Sequence, residues 1–207
     1  MLGILHAELF PDDCEVLEIT PHNQFVYLVF KNGNTSLRRE QHLRGLRLFR
    51  NEQINDLEFV DVYIRNPKNR YISGVNTYLQ HLQRDYPELD YHTAFWFAKK
   101  YKFLNRHYLP QFHWIYNLSK FLNPTAKIRL RDFETMSAIT NINFRAYVTP
   151  PTQEFVQKLF EDNNEIEFWL YVDQILLDLA GNEMTWQEIL AHYQTQHPNI
   201  MNVLSST

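Results

Sequence analysis

The hydrophobic residues of the first 135 positions fall into short runs that predict β-strands. An alternating pattern predicts a strand over Cys14–Thr20, and the wholly apolar run Phe25–Phe30 is typical of a central parallel strand covered on both faces. The apolar run Phe59–Ile64 and the alternating segment Lys127–Phe133 predict two further strands. Pro21–Asn23 predicts a turn between the first two strands, and the later intervals are long enough to hold helices.

Helical periodicity fills two of these intervals. Thr35 and Ser36 are both suitable N-caps for a helix over Leu37–Arg50. Apolar residues spaced three and four apart predict a second helix over Ile72–Leu82. The aromatic-rich segment Tyr91–Leu122 is predicted to be helical with a break at its proline.

The C-terminal part, residues 150–207, is predicted to be helical throughout. Candidate helices are Thr152–Asp162 and Glu165–Ala180, and Gly181 is suited to end the second one. Thr185–Glu188 (TWQE) matches the capping box that opens a helix. These helices follow the strand–helix–strand–helix order of the earlier residues. The whole chain, residues 1–207, is therefore predicted to be a single α/β domain.

The fold predicted from this order is a three-layer α/β arrangement. It has a mostly parallel central sheet, helices on both faces and extra C-terminal helices. The composition agrees, because 44% hydrophobic and 21% charged residues are ordinary for a globular protein.

Charge and cysteine content exclude several function classes. A formal net charge of −4 gives no general attraction to nucleic acid or acidic membranes, so any anion site must be local. The single cysteine, Cys14, excludes an internal disulfide and a cysteine-based zinc site within one chain. No apolar run reaches 18 residues and the first residues do not resemble a secretory signal, so we expect a cytoplasmic protein without a membrane segment.

The loop after the second predicted strand has the composition of a phosphate cradle. A strand that turns through a glycine into a helix points several backbone N–H groups at one spot. Hydroxyl side chains and a lysine add further donors. The candidate phosphate-binding residues are Lys31, Asn32, Gly33, Asn34, Thr35 and Ser36. The lysine comes before the glycine here, so the loop is not a Walker A sequence.

A second candidate anion site follows the strand Phe59–Ile64. Arg65 can bind phosphate through two parallel hydrogen bonds, and Pro67 fixes the exit of the chain from the strand. Ser73 can add its hydroxyl and the start of the next helix, and Arg70 lies between them. The two sites together predict a ligand with phosphate at both ends.

These segments resemble sulfotransferases that use 3′-phosphoadenosine 5′-phosphosulfate (PAPS), in particular carbohydrate sulfotransferases. In that family a lysine directly follows the first strand, and an Arg-x-Pro pattern is followed by a serine eight positions after the arginine. A third segment, Asn105–Gln111 (NRHYLPQ), is similar to the family's His-aromatic-x-Pro-Gln element. The resemblance covers about residues 24–135 and implies a P-loop-like nucleotide-binding core there.

The resemblance implies in-line transfer of a sulfuryl group from PAPS to a hydroxyl or amine acceptor. Lys31 is then expected to stabilise the leaving phosphate oxygen, while the loop that it opens holds the 5′-phosphate. Arg65 and Ser73 are expected to hold the 3′-phosphate. His107 is the first choice for the base that takes the acceptor's proton. The acceptor is expected to be a small molecule or a glycan, and no metal is required.

The sequence leaves two questions open. The interval Leu37–Ile64 is shorter than in many relatives, so Glu52, Glu58 and His42 remain alternative bases. Phe30 also stands where the family usually has proline. The alternative functions are a P-loop phosphotransferase and a nucleotide-binding interaction module without catalysis.

The first predicted helix is also basic. Its arginines are either solvated or attract an acidic acceptor, and they are Arg38, Arg39, Arg44, Arg47 and Arg50.

Overall fold

The computed structural model describes residues 14–19, 23–29, 31–90, 93–94, 96, 107, 109–140, 156–159, 161 and 164–198. The strands are β1 (Glu15–Ile19), β2 (Gln24–Tyr27), β3 (Leu48–Arg50), β4 (Phe59–Ile64), β5 (Lys127–Asp132) and β6 (Glu183–Met184). The helices are α1 (Asn34–Arg44), α2 (Pro67–Asp85), α3 (Gln111–Ser119), α4 (Met136–Thr140), α5 (Asn164–Asp178) and α6 (Trp186–Gln196). Two short 3₁₀ helices, Asn51–Asp56 and Phe133–Thr135, follow β3 and β5.

The described strands form one mixed sheet in the order β3-β1-β2-β4-β5-β6. The three central strands, β2, β4 and β5, run parallel, with Val26 beside Asp61 and Val60 beside Ile128. β1 pairs antiparallel with both β2 and β3, and β6 pairs antiparallel with β5. The α/β class is therefore confirmed, whereas the predicted mostly parallel arrangement is limited to the centre of a mixed sheet.

The alternation of side chains along β4 divides the apolar core between the two faces of the sheet. On one face, Val62 and Ile64 pack with residues of α3, α5 and α6, among them Phe112. On the other face, Tyr63 packs with Leu37 of α1 and with α4. Helices thus contribute to the core on both faces, which explains the continuous apolar runs at the central strands.

Helix α1 begins and ends at glycines, and this differs from the prediction. Its N-cap is Gly33, with φ 82°, whereas Thr35 and Ser36 lie in the first turn and do not precede it. It ends at Gly45, with φ 63°, and residues 48–50, which were expected to be helical, form β3. Glycine adopts the left-handed conformation at little steric cost, so the two glycines set the limits of the helix.

The C-terminal residues supply a strand as well as helices. Gly181, at φ 97°, follows α5 as predicted, and its N–H donates to Leu130 O of β5 at 2.7 Å. The chain then forms β6 at the edge of the sheet, an element too short to be read from the sequence. The predicted capping box is confirmed at the start of α6: Glu188 N donates to Thr185 Oγ1 at 3.2 Å, and Thr185 N donates to Glu188 Oε2 at 2.6 Å.

The other predicted elements agree with the structure to different extents. β4 has the predicted limits, while α2 begins five residues earlier than expected, at Pro67, because Asn66 Oδ1 caps it by accepting from Asn69 N at 3.0 Å. Much of the predicted helical segment Tyr91–Leu122 lies outside the described residues. Within the described part of the chain, no helix combines the length and the apolar character needed to cross a bilayer.

Candidate functional site

The carboxyl ends of the parallel strands β2, β4 and β5 meet at one edge of the sheet, where α/β proteins bind ligands. Lys31 lies four residues after β2, Arg65 directly follows β4, and Phe133 directly follows β5. Arg65 joins all three ends: its Nη1 donates to Lys31 O at 3.1 Å, and its guanidinium carbon lies 5.5 Å from the centre of the Phe133 ring. The two predicted phosphate segments are therefore in direct contact.

The β2–α1 loop reaches the helix through two left-handed residues, Lys31 at φ 64° and Gly33 at φ 82°. This backbone conformation is unfavourable for lysine, by about 1–2 kcal/mol, and the hydrogen bond from Arg65 to its carbonyl helps to hold it. Within the described residues, no side chain caps the start of α1 and its first turn contains no acid. The first N–H groups of α1, beside exposed Thr35 and half-buried Ser36, are therefore available to an anion.

The two asparagines of this loop have structural contacts. Asn32 is buried, and its Nδ2 donates to Tyr63 O of β4 at 2.6 Å. Asn34 is also buried; its Nδ2 donates to Leu28 O at 3.4 Å, and its Oδ1 accepts from Arg38 Nε at 2.8 Å. Their side chains hold the loop against β2, β4 and α1, so only their backbone groups can contact a ligand.

The side chain of Lys31 extends to helix α2. Its ammonium donates to Thr77 Oγ1, and the Thr77 hydroxyl donates to Ser73 O at 3.2 Å. Arg70, Ser73 and Thr77 are three and four residues apart, so they form one stripe along α2. Ser73 lies in the second turn rather than at the start of the helix, so it can offer its hydroxyl but not the terminal N–H groups. We call the Lys31–Ser36 loop, Arg65 and this stripe the carboxyl-edge site.

The carboxyl-edge site is rich in positive charge. Burial, followed by the charges of Arg70 and Arg65, lowers the pKa of Lys31 to about 8. Burial lowers the pKa of Arg70 to about 10, opposed by the charge of Asp173, and burial also lowers the pKa of Arg65, opposed by Glu134. Three cations close together disfavour one another's charge, and a bound anion would relieve this repulsion.

Gln111, from the third predicted segment, links the two anion-binding segments. Its side chain is fully buried, and Oε1 accepts from Asn32 Nδ2 at 2.7 Å and from Arg65 N at 2.9 Å. Its Nε2 donates to Arg65 O at 2.9 Å. All three segments singled out in the sequence therefore meet at this one amide.

Asp173 of α5 anchors Gln111 in turn. Its Oδ2 accepts from Gln111 N at 2.8 Å and its Oδ1 accepts from Phe112 N at 3.0 Å, so the carboxylate caps the start of α3. Arg70 lies close by, with Nη1 donating to Leu109 O at 2.6 Å. Burial raises the pKa of Asp173 to about 6, while the charge of Arg70 and these hydrogen bonds oppose the shift.

His107, the predicted base, lies beside helix α2. It is buried, and its ring centre is 5.0 Å from that of His81, with the ring planes at 87°. His81 lies one turn beyond Thr77, so the histidine pair follows directly on the stripe that Lys31 contacts. The neighbours of His107 in its segment, Asn105, Arg106 and Tyr108, lie outside the described residues.

The structure places the alternative bases elsewhere. Glu58 precedes β4 and lies at the opposite end of that strand from Arg65, about 20 Å away. Glu52 belongs to the 3₁₀ helix after β3, and two strands separate β3 from β4. His42 is exposed near the end of α1, about 12 Å along the helix from its start.

Four of the five arginines of this basic segment form ion pairs with two acids. Arg38 and Arg50 form ion pairs with Glu15, while Arg39 and Arg44 pair with Glu40. Arg47 extends over the Phe49 ring, 4.3 Å from its centre. Because four arginines share two carboxylates, this surface keeps a net positive charge, and the two expectations, a solvated surface and a face that attracts an acidic acceptor, both stay predictions.

Sequence reasoning assigned no role to Gln111 or Asp173, although one of them could have been found. Asp173 is spaced with Trp169, Val172 and Leu176 on the apolar side of its helix, and an acid in that position is expected to need a buried partner. Gln111 was singled out only as the last residue of the third segment, and its contact with Arg65 could not be foreseen because it spans 46 residues.

Comparison with known proteins provides no relative for the chain. No protein-family model, curated protein or solved structure matches it. Inferences about function therefore start from the sequence motifs and from the geometry of the carboxyl-edge site.

Proposed function

We propose that the chain is a sulfotransferase that transfers a sulfuryl group from PAPS to a hydroxyl or amine acceptor. The observation that carries the proposal is the contact of the two anion-binding segments, Arg65 Nη1 to Lys31 O at 3.1 Å, at the carboxyl edge of a parallel β2-β4-β5 core. A nucleotide with phosphates on both its 5′ and 3′ positions requires two such subsites side by side.

The donor set suits this nucleotide. The N–H groups at the start of α1, with the hydroxyls of Thr35 and Ser36, are placed to bind the 5′-phosphate. Arg65 and Ser73 are placed to bind the 3′-phosphate, Arg65 through its planar guanidinium. Arg70 is too deeply buried to reach a ligand freely, and it adds positive charge behind the site.

Lys31 stabilises the charge that develops on the leaving oxygen. The bound donor supplies an activated sulfuryl group, whose departure leaves negative charge on a phosphate oxygen. With a pKa of about 8, Lys31 is mostly protonated at neutral pH, and a nearby anion favours that charged form further. As in phosphoryl transfer, the protein contributes mainly positioning and preorganised charge.

His107 receives the acceptor's proton in this proposal. A base must lie on the side of the sulfuryl group opposite the leaving oxygen, several ångströms from the lysine. The histidine pair lies at a suitable distance from the lysine, because His81 is one helical turn, about 5–6 Å, from Thr77, the residue that contacts Lys31. The acceptor is a small molecule or a glycan whose hydroxyl or amine reaches this pair.

A nucleotide-binding module without catalysis is the second candidate. It is favoured by the short interval between the two segments: Leu37–Ile64 holds α1, β3 and β4, and its candidate bases lie away from Lys31. A Lys31→Ala variant separates the two candidates. It should abolish turnover of PAPS and weaken nucleotide binding without abolishing it in a sulfotransferase, whereas in a binding module the wild-type protein has no turnover to lose.

The proposal is tested by calorimetric titration with adenosine 3′,5′-bisphosphate, 5′-AMP and ATP. The wild-type protein is expected to prefer the bisphosphate by at least about tenfold, since a charged hydrogen bond is worth about 1.5–3 kcal/mol. Arg65→Ala should lose this preference. Arg84→Ala, which removes an exposed arginine near the end of α2, should retain it. Equal affinity of the wild-type protein for the three nucleotides would overturn the sulfotransferase proposal.

A further inference from the structure

The side chain of Gln111 links the two subsites, because it contacts a side chain of one and the backbone of the other. The β2 subsite is the Lys31–Ser36 loop with the start of α1, and the β4 subsite is Arg65 with Ser73 of α2. The Gln111 amide accepts from Asn32 Nδ2 of the first subsite at 2.7 Å. It also binds both backbone groups of Arg65 in the second, N at 2.9 Å and O at 2.9 Å.

The backbone contacts matter more than the direct contact between the subsites. The hydrogen bond from Arg65 Nη1 to Lys31 O uses the guanidinium that a phosphate would recruit. The contacts with Gln111 use only the peptide groups of Arg65, so they persist when its side chain turns toward a ligand. Asn32 likewise contributes a side chain that lies buried beneath the loop.

Gln111 is itself held in place, as it must be if it sets the distance between the two subsites. It is fully buried at the start of α3, and the Asp173 carboxylate accepts from its N–H at 2.8 Å. Asp173 belongs to α5, whose residues Trp169, Val172 and Leu176 pack in the main core of the sheet. The distance between the two subsites is therefore fixed by the packed core and not by the surface loops.

We propose that Gln111 is a positioning residue that sets the spacing of the two subsites and so creates the preference for a nucleotide phosphorylated at both ends. This inference rests on the proposed function. When two phosphates are on one ligand, binding of the second has an effective concentration that depends on how well the ligand's span matches the distance between the subsites. Loosening the spacing should reduce this advantage and leave each separate subsite intact.

The test compares three ligands, adenosine 3′,5′-bisphosphate, 5′-AMP and 3′-AMP, on folded Gln111→Met. Methionine keeps the length of the side chain and removes its hydrogen bonds to Asn32, to the backbone of Arg65 and to Asp173. The gain from the second phosphate, which is the Kd of either monophosphate divided by the Kd of the bisphosphate, should fall at least about tenfold. The monophosphate Kd values should stay within about threefold. Loss of active protein would change all three Kd values equally and leave both ratios unchanged.

Two further variants make the result decisive. Gln174→Met is the matched control, because this half-buried glutamine of α5 donates, among the described residues, to Asp178 at 2.8 Å and to no residue of either subsite, so both ratios should be unchanged. If Gln111→Met does not fold, Asn32→Ala removes one contact of the same amide, together with the hydrogen bond from Asn32 to Tyr63 O, and should lower both ratios by a smaller factor. Unchanged ratios in a folded variant would overturn the role of Gln111 alone, whereas a wild-type protein with no gain from the second phosphate would overturn the proposed function as well.

Discussion

Binding of the bisphosphate should weaken as the pH rises above 8, through Lys31. Its pKa is lowered from 10.5 to about 8, first by burial and then by the charges of Arg70 and Arg65. A bound phosphate favours the charged ammonium and raises this pKa again. Between the two values the complex binds a proton that the free protein has lost, so binding takes up a proton and the affinity falls with rising pH. The phosphates themselves are fully ionised above about pH 7.

The size of the effect follows from the shift. A full return to 10.5 corresponds to 2.5 pH units, or about 3 kcal/mol at 1.36 kcal/mol per unit. The Kd should therefore rise with pH above 8, by about fivefold between pH 8 and 9. From pH 7.5 to 9.5 this amounts to roughly 20-fold. Measurements should stop near pH 9.5, because the pKa of buried Arg70 is about 10.

Isothermal titration with the bisphosphate at pH 7.5, 8.5 and 9.5 measures this dependence directly. Repeating the pH 8.5 titration in buffers of different ionisation enthalpy gives the number of protons taken up. Lys31→Met should bind more weakly at pH 7.5 and show little change with pH. Lys127→Met, which alters an exposed lysine at the amino end of β5, should behave as the wild type. A wild-type Kd that is the same at pH 7.5 and 9.5, or an equal pH dependence in Lys31→Met, would refute the reasoning.

Two predictions concern the support of the site. Asp173→Ala should lower the free energy of unfolding measured in urea by about 2–5 kcal/mol, because it leaves two buried N–H groups at the start of α3 without their acceptor and removes the negative charge that favours the buried Arg70 guanidinium, and Asp173→Asn, which can still cap α3, should lose less. Burial lowers the pKa of His113 from 6.5 to about 4, so this residue alone should lower the free energy of unfolding by about 3 kcal/mol as the pH falls from 6.5 to 4; the raised pKa of Asp173 acts in the opposite direction, so the loss is measured as the difference between the wild type and His113→Phe. His113→Phe should not show this loss, and equal acid sensitivity of the two proteins would contradict the assignment.

The elements that the sequence predicted well are those with local signals. The limits of β4 follow from the run Phe59–Ile64, which is apolar except for Asp61 and is followed by a charged residue two positions before a proline. The start of α6 follows from Thr185 and Glu188, two side chains three residues apart that satisfy each other's backbone N–H groups. In both cases the deciding interactions span a few residues, so the pattern alone contains them.

The elements that were mispredicted depend on interactions between distant residues. The segment Leu48–Arg50 has residues that a helix tolerates, and it is a strand because it pairs with β1 in the antiparallel register of Leu17 beside Leu48. Gly33 and Gly45 outweigh the hydroxyl caps because the chain needs left-handed turns at both ends of α1. A mixed sheet likewise depends on which strands become neighbours, and no single strand sequence specifies this.

The candidate site likewise has some features with local sequence signals and others that depend on contacts between distant residues. The identity of its charged groups, Lys31 and Arg65, could be read from two short segments, because a phosphate needs those residue types near a strand end. Their spacing could not, because it depends on Gln111 and on Asp173, which lie 46 and 108 residues beyond Arg65 in the sequence. If the spacing is what selects a doubly phosphorylated nucleotide, selectivity is a property of the packed α3 and α5 helices as much as of the motifs. Substitutions at the start of α3 should then change which nucleotide is preferred, while substitutions in the motifs change how tightly any phosphate is held.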